Sequence, residues 1–326
     1  MSDPIRTLGV LRTVRQHENL MLHFGAMRTM GWAIVAMLLC LMSTTALHSA
    51  EPVTELLAQK VLTKDSPAQG VLDRENLVAW CIVPFDAKKR SPSERAQMLN
   101  ELGLKRCAYD WRAEHVASFE EEIQQYAKHK IEFFAFWSTH ESAFSLFEKY
   151  HLHPQIWQTL AAPKEAVGED RVEPTAQAMV PLAKRTAAMK CPLGLYNHGG
   201  WGGEPANMVA VCRRLRELGY EHVGIVYNFH HGHDAIADWK ASWTLMKPFV
   251  ICLNINGMND KAEPKILGLG KGKHEIEMLR VVIDSGYTGP IGILDHRNEL
   301  DSRESLQENL DGLDGLREQL EAIAVR

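Results

Sequence analysis

The chain has 326 residues, 45% of them hydrophobic and 24% charged, and a formal net charge of -5 at pH 7. That is the composition of an ordinary globular protein with ample core material. Lysine and arginine are spread along it in runs no longer than Lys88–Lys89–Arg90, which forms no basic stripe and gives no electrostatic case for nucleic acid.

The first element is apolar. Gly31 to Met42 (GWAIVAMLLCLM) carries no charge, follows Arg28 and precedes STTALHSAEP. The run is too short to cross a bilayer comfortably and matches the hydrophobic region of a secretory signal. Residues 1–50 are therefore expected to be a signal peptide. The mature protein is expected to be exported, periplasmic or extracellular, with no stable membrane span. Ala50 is the first expected cleavage point and Ala46 the second, because His48 is bulky for the position three residues before the cut. Met21, Met27 and Met30 are alternative starts for an over-long leader, and a short membrane anchor is the rival reading. Leu39 rather than a small residue before Cys40 argues against a lipoprotein site. Residues 51–75 form a polar leader.

From residue 76 onward strand-like and helix-like patterns alternate. The expected strands are LVAWCIVPF (77–85), LKRCAYDW (104–111), IEFFAFWST (131–139), QIWQTLA (155–161), CPLGLYNH (191–198), HVGIVYNF (222–229), PFVICLNI (248–255) and PIGILDH (290–296). Near-continuous apolar runs of this kind belong to strands buried on both faces. Helices are expected over 91–104, opened by a Ser cap and closed on Gly103, and over 118–130, with Glu in the first turn and Lys in the last. Others follow over 173–190, where Pro181 predicts a kink or a late start, and over 204–220, 234–246, 273–287 and 302–324. Cys81, Cys107, Cys191 and Cys252 fall in strands and Cys212 on a helix, without CxxC spacing, so they serve as small apolar residues rather than a disulfide framework. The alternation predicts a single (β/α)8 TIM barrel over 76–326. An open doubly wound sheet is the alternative, but no GxGxxG opens the first crossover, so no nucleotide cofactor is expected.

Four late strands end in polar clusters: LGLYNHGGW, VGIVYNFHHGHD, VICLNINGM and IGILDHRNELD. In a parallel barrel such strand ends converge on one mouth. His198, followed by two glycines and Trp201, suits a site where backbone passes close to a ligand and an indole covers a sugar ring. His230, His231 and His233 with Asp234 form the densest titratable cluster, with His233 and Asp234 expected to cap a helix. Asn254 and Asn256, two apart on one strand, share a face and can fix hydroxyls if that face is inward. Asp295 is the best single carboxylate, for a metal or as a general base, against a plain salt bridge to Arg297. Asp86, Asp110, His115, Trp137 and His140 are further polar or aromatic strand ends. Glu204–Pro205 reads as helix N-terminal chemistry.

Residues 266–293, ILGLGKGKHEIEMLRVVIDSGYTGPIGI, join a Gly-rich turn, a helix and GYTGP leading into the last strand. This resembles the closing unit of the xylose isomerase-like TIM barrel superfamily, which includes sugar isomerases and epimerases, inosose dehydratases and type-II AP endonucleases; the resemblance covers 76–323. It implies one or two divalent cations, held by Glu after strand five, Asp or His after strand six, His or Asp after strand seven and Glu after strand eight. Here those positions carry Tyr196 or Asn197 with His198 beyond, Tyr227 or Asn228 with His230 and His231, Asn254 and Asn256, and Asp295 with His296. Only Asp295 brings a carboxylate, a departure that puts an Mg or Mn site in doubt and leaves Zn as the softer option through His230, His231 and Asp295.

The expected activity is proton transfer next to the carbonyl of a sugar or polyol, in an isomerase, epimerase or lyase. Asp295, His198 and His231 would be catalytic, and Trp201, Asn228, Asn254, Asn256, Trp137 and His115 would bind substrate. The alternative is a carbohydrate-binding barrel with a degenerate metal site and no turnover. Phosphodiester hydrolysis of the AP endonuclease kind would need a trinuclear ligand set and a basic groove, and neither is visible.

Overall fold

A computed structural model describes residues 70–161 and 168–324. The expected signal segment and most of the leader lie outside these residues. The strands are β1 (Leu77–Trp80), β2 (Arg106–Tyr109), β3 (Glu132–Trp137), β4 (Gln155–Thr159), β5 (Leu193–Tyr196), β6 (Val223–Asn228), β7 (Val250–Ile255) and β8 (Ile291–Leu294). Each pairs parallel with its sequence neighbour, and β1 pairs with β8 from Leu77↔Ile291 to Trp80↔Leu294, closing a TIM barrel. The helices are α1 (Pro92–Glu101), α2 (Phe119–Lys128), α3 (Glu141–Lys149), α4 (Val172–Ala188), α5 (Pro205–Glu217), α6 (Trp239–Met246), α7 (Glu275–Asp284) and α8 (Ser302–Ala324). One follows each strand. No helix among the described residues is long and apolar enough to cross a membrane.

Local chemistry explains the boundaries. Ser91 caps α1 by accepting the Glu94 N–H, while the Glu94 carboxylate accepts the Ser91 N–H, and Gly103 ends the unit at a φ of 71°. Pro205 occupies the first turn of α5, where its missing N–H costs nothing. The first strand is shorter than its apolar run because Cys81 adopts a left-handed φ of 62° directly after Trp80. Helix α3 has no counterpart in the sequence reading: its nine residues bury only Ala143, Phe144 and Phe147, too few for a visible period. Helix α4 starts well before Pro181 and runs through it, correcting the expected late start. The expected His233–Asp234 cap is also corrected. Those residues form a short 3-10 turn behind Gly232, and α6 begins only at Trp239, with no side-chain cap bond at either start.

Alternation along each strand divides the core. Leu77, Cys107, Leu195, Ile225, Leu253, Ile291 and Ile293 pack outward beneath the helices, whereas Val78, Trp80, Ala108, Phe134, Trp157, Tyr196, Val226, Cys252 and Leu294 pack inside the barrel. Glycine makes room for the large inner side chains. A Cβ on Gly194 would sit 2.5 Å from Val226 and 2.9 Å from Trp157, and one on Gly292 would sit within 1.8 Å of the Asn254 oxygen. All five described cysteines are free and buried, as expected of small apolar residues.

Candidate active site

The inner positions at the carboxyl ends of the strands build a floor and a rim. Trp80, Trp157 and Tyr196 fill the floor from β1, β4 and β5, with ring centroids 4.8 Å apart for the two indoles and 5.9 Å for Trp157 and Tyr196. Trp137, at the end of β3, stands over Tyr196 edge-on at 4.4 Å and reaches the His198 ring at 5.8 Å. Asn228 donates to the Tyr196 hydroxyl and accepts the His230 N–H, so β5 and β6 share one fixed polar unit. Asn197, on the opposite parity, spends its amide on the backbone N–H and carbonyl of Asn228 and serves as a strand clamp.

Four imidazoles crowd the rim. The Nε2 atoms of His230 and His231 are 2.8 Å apart, His198 lies 4.3 Å from His231, and His296 lies 5.0 Å from His230, ring to ring. A 2.8 Å contact between two ring nitrogens works only when one donates and the other accepts, so the two rings cannot both be protonated while it holds. Burial, reinforced by the neighbouring imidazoles and Lys265, holds His230 and His231 well below the usual range and His296 down to about 4; burial and then Lys265 lower His198. The rim is therefore neutral at pH 7. Lys265 belongs to the segment after β7, which folds back through a Gly257–Leu267 bridge and sets Ile266 against the inner core. A cleft of about 480 Å3 opens on the outer side of His231, between the start of α5 and α6, lined by Gly199, Gly200, Pro205, Tyr227 and Leu245 and by none of the floor residues.

Several buried polar atoms in this floor have no hydrogen bond of good geometry: Trp80 Nε1, both Asp110 oxygens, His230 Nδ1, Asn254 Nδ2 and Asn256 Oδ1. They come from β1, β2, β6 and β7, or just after them, and every one of these residues is on the inward parity. Asn254 and Asn256 are fully buried, and their other amide atoms face Cys252 and the Gly257 carbonyl. An unpaired buried polar group costs roughly 1–3 kcal/mol; Trp80 Nε1 is aimed at the Tyr196 hydroxyl, and the other atoms named here keep hydrogen-bonding capacity toward the barrel axis.

Other expected site residues are directed elsewhere. Asp295 lies on the outward parity of β8: its two oxygens accept the hydroxyls of Ser302 and Ser305, both at 2.5 Å, in the first turn of α8. Arg297 turns instead to Glu308 and Ser305. Trp201 packs against the outer core, and its carbonyl accepts from Asn207. His115 accepts the Arg112 N–H within its own turn, His140 caps α3, and Asp86 pairs with Arg90 while accepting the Ser302 N–H. His198, Asn228, His230, His231, Asn254, Asn256 and Trp137 are brought together. Trp80, Trp157, Tyr196 and His296 join them, and the period-two rule that paired Asn254 with Asn256 also puts His296 inward with Leu294 and Asp295 outward.

No family model matches the chain, and no curated protein matches it in sequence. Solved structures do match. The probable 3-DHS dehydratase of Bacillus anthracis superposes with a TM-score of 0.59 at 12% identity, covering 73% of this chain and 98% of that one. A zinc-bound IOLI protein gives 0.58 at 10%, covering 75% and 99%. The likeness is one of fold, a closed eight-stranded parallel β/α barrel. The 3-keto-D-glucoside 4-epimerase of E. coli has it too, with a TM-score of 0.55 at 12% identity over 74% of this chain and 99% of its own.

The cation set implied by the resemblance fits these residues poorly. Its strand-end positions carry amides, Asp295 is engaged by two serines, and no three His, Cys, Asp or Glu among the described residues are grouped to enclose an ion. Hard cations want charged oxygens, so an Mg or Mn site is not supported; the facing Nε2 atoms of His230 and His231 have the donor chemistry of a softer ion such as Zn.

Proposed function

We propose that this chain is an exported enzyme that moves a proton next to the carbonyl of a sugar or polyol-derived substrate, in the manner of a sugar isomerase or epimerase. The observation that carries this reading is the buried floor of unpaired donors and acceptors beneath a neutral imidazole rim. Hydroxyl groups donate and accept at once, so a polyhydroxylated ligand is the class that satisfies Trp80, Asn254 and Asn256 together. Aromatic faces at Trp137 and Tyr196 suit the C–H face of a sugar ring. A neutral imidazole N–H at His198 or His231 polarises a carbonyl oxygen and stabilises the enediolate that forms when the adjacent carbon loses its proton. Barrels of this fold named as sugar epimerases support the reaction class. Export rests on the apolar run at Gly31–Met42.

A zinc ion bound by His230 and His231 would supply further polarisation of that oxygen; the steps above use the chain's own groups. The rival reading, a carbohydrate-binding barrel without turnover, is favoured by the engagement of Asp295 with α8. Incubating the mature protein with a sugar panel in D2O, with and without Zn or Mn, separates the two. Exchange of a carbon-bound proton that is lost in His231→Ala supports the enzyme. Saturable sugar binding with no exchange on any sugar supports the rival.

A further inference from the structure

We propose that Asp110 is the catalytic carboxyl of this mouth, the group that takes the carbon-bound proton from the substrate and returns it to carbon. The inference rests on the proton-transfer reading above and names the base that reading lacks once Asp295 is committed to α8. Asp110 directly follows Tyr109, which faces outward, and shares the inward parity of Ala108. It is 2% exposed; the Val83 N–H, its own N–H and the Cys81 thiol approach its oxygens, but none meets them with good hydrogen-bond geometry. A buried carboxyl held this loosely keeps acceptor capacity for a further partner. In an eight-stranded barrel closed in sequence order, β2 and β6 stand on opposite sides of the axis. Asp110 and the His230–His231 pair therefore stand at strand ends on opposite sides of the barrel axis, so that a substrate lying over the aromatic floor would have the carboxyl on one side and the imidazoles on the other.

The groups around Asp110 set its chemistry. The Val83 N–H and its own backbone N–H approach the carboxyl, the thiol of Cys81 lies beside it at the end of β1, Arg112 lies two residues on, and Arg95 of α1, the phenols of Tyr109 and Tyr196 and Cys107 of β2 are within electrostatic reach. Burial pushes the carboxyl up to about 7 against the pull of Arg112. Proton donor and acceptor forms then coexist at neutral pH, which is where a general acid–base catalyst works best. Cys81 holds its left-handed φ of 62° at this point, a strained backbone next to the proposed reacting group.

The step balances within the substrate. The Asp110 carboxylate forms an O–H bond with the proton on the carbon beside the carbonyl. The electron pair of the broken C–H bond becomes the enediolate double bond, and charge moves onto the carbonyl oxygen facing the imidazole N–H. Returning the proton to the neighbouring carbon, while the adjacent hydroxyl proton passes to the first oxygen, completes an isomerisation without oxidant or reductant.

Infrared difference spectra of the full-length mature protein, taken between about pH 5 and 9, read the carboxyl directly. A protonated-carboxyl band with a midpoint near 7 that disappears in Asp110→Asn is expected; a spectrum unchanged by the substitution overturns the assignment. Asp295→Asn serves as the control for the second raised carboxyl, which titrates lower, at about 6. In the D2O assay, Asp110→Asn should lower exchange about 100- to 10,000-fold while sugar binding, measured by calorimetry, persists. Exchange at the wild-type rate in that variant overturns the assignment and leaves the functional reading standing. A wild type inert toward every sugar fails the functional reading instead, and the infrared band still decides whether Asp110 titrates where expected.

Discussion

Two aspartates at the top of the barrel are both buried and both raised above the usual carboxylate range, and they differ in what meets their oxygens. Asp295 after β8 accepts two serine hydroxyls from α8 and stands at the positive end of that helix, where Asp86 also accepts the Ser302 N–H and Asp301 the Arg303 N–H. Asp110 after β2 meets only the Val83 N–H, its own N–H and the Cys81 thiol, none at good hydrogen-bond geometry. Burial alone does not distinguish a structural carboxyl from a functional one; what distinguishes them is whether the protein itself satisfies the oxygens.

The comparison breaks most visibly on stability. Asp295→Ala leaves Ser302 and Ser305 facing an empty acceptor position and should lower unfolding stability by roughly 2–4 kcal/mol in urea titrations. A loss below about 0.5 kcal/mol would remove Asp295 from the structural class. Asp110→Asn should act through pH. The unfolded aspartate ionises near 4, whereas the folded one keeps its proton to about 7, so between these values the unfolded state holds fewer protons and wild-type stability falls as pH rises. The variant lacks this contribution and should be more stable relative to wild type at pH 8 than at pH 4, by a few kcal/mol at most. The depressed histidines act oppositely, drawing stability down as pH falls below about 6.5 in both proteins.

Smaller changes sharpen the contrast. Ser305→Ala removes one of two donors to Asp295 and should cost about 1–2 kcal/mol. It should also raise the Asp295 titration above its present value, followed by side-chain carboxyl NMR. Lys265→Ala removes a cation that disfavours imidazolium, so His198 and His296 should titrate upward by a few tenths of a pH unit. The Asp295 network should not respond to Lys265, and a shift there would blur the division between the two sites.

The same contrast explains what the sequence could show. The barrel was legible because near-continuous apolar runs, Ser91 with Glu94, and Pro205 each mark an element by local chemistry. The histidine cluster and the asparagine pair were legible because they sit where strands end. The orientation of Asp295 is not legible in the sequence, because a carboxylate at a strand end looks the same whether it faces the axis or the helices. Its serine partners lie seven and ten residues downstream, in a helix whose first turn only the packing places. Trp80, Trp157 and Tyr196 read as core aromatics, and only closure of the barrel turns them into a floor. Trp201 drew a ligand role from its glycine neighbours, yet the turn at Gly199 and Gly200 carries the indole to the outer core.

The central claim is that the unpaired floor binds a polyhydroxylated ligand. Titrating the sugar panel into the 15N-labelled protein, with the Trp80 indole N–H and the Asn254 side-chain amide as reporters, tests it most directly. The account predicts saturable shifts of both signals with one sugar class, weakened in Asn254→Leu. Signals that stay fixed under every sugar while a remote surface responds would contradict it.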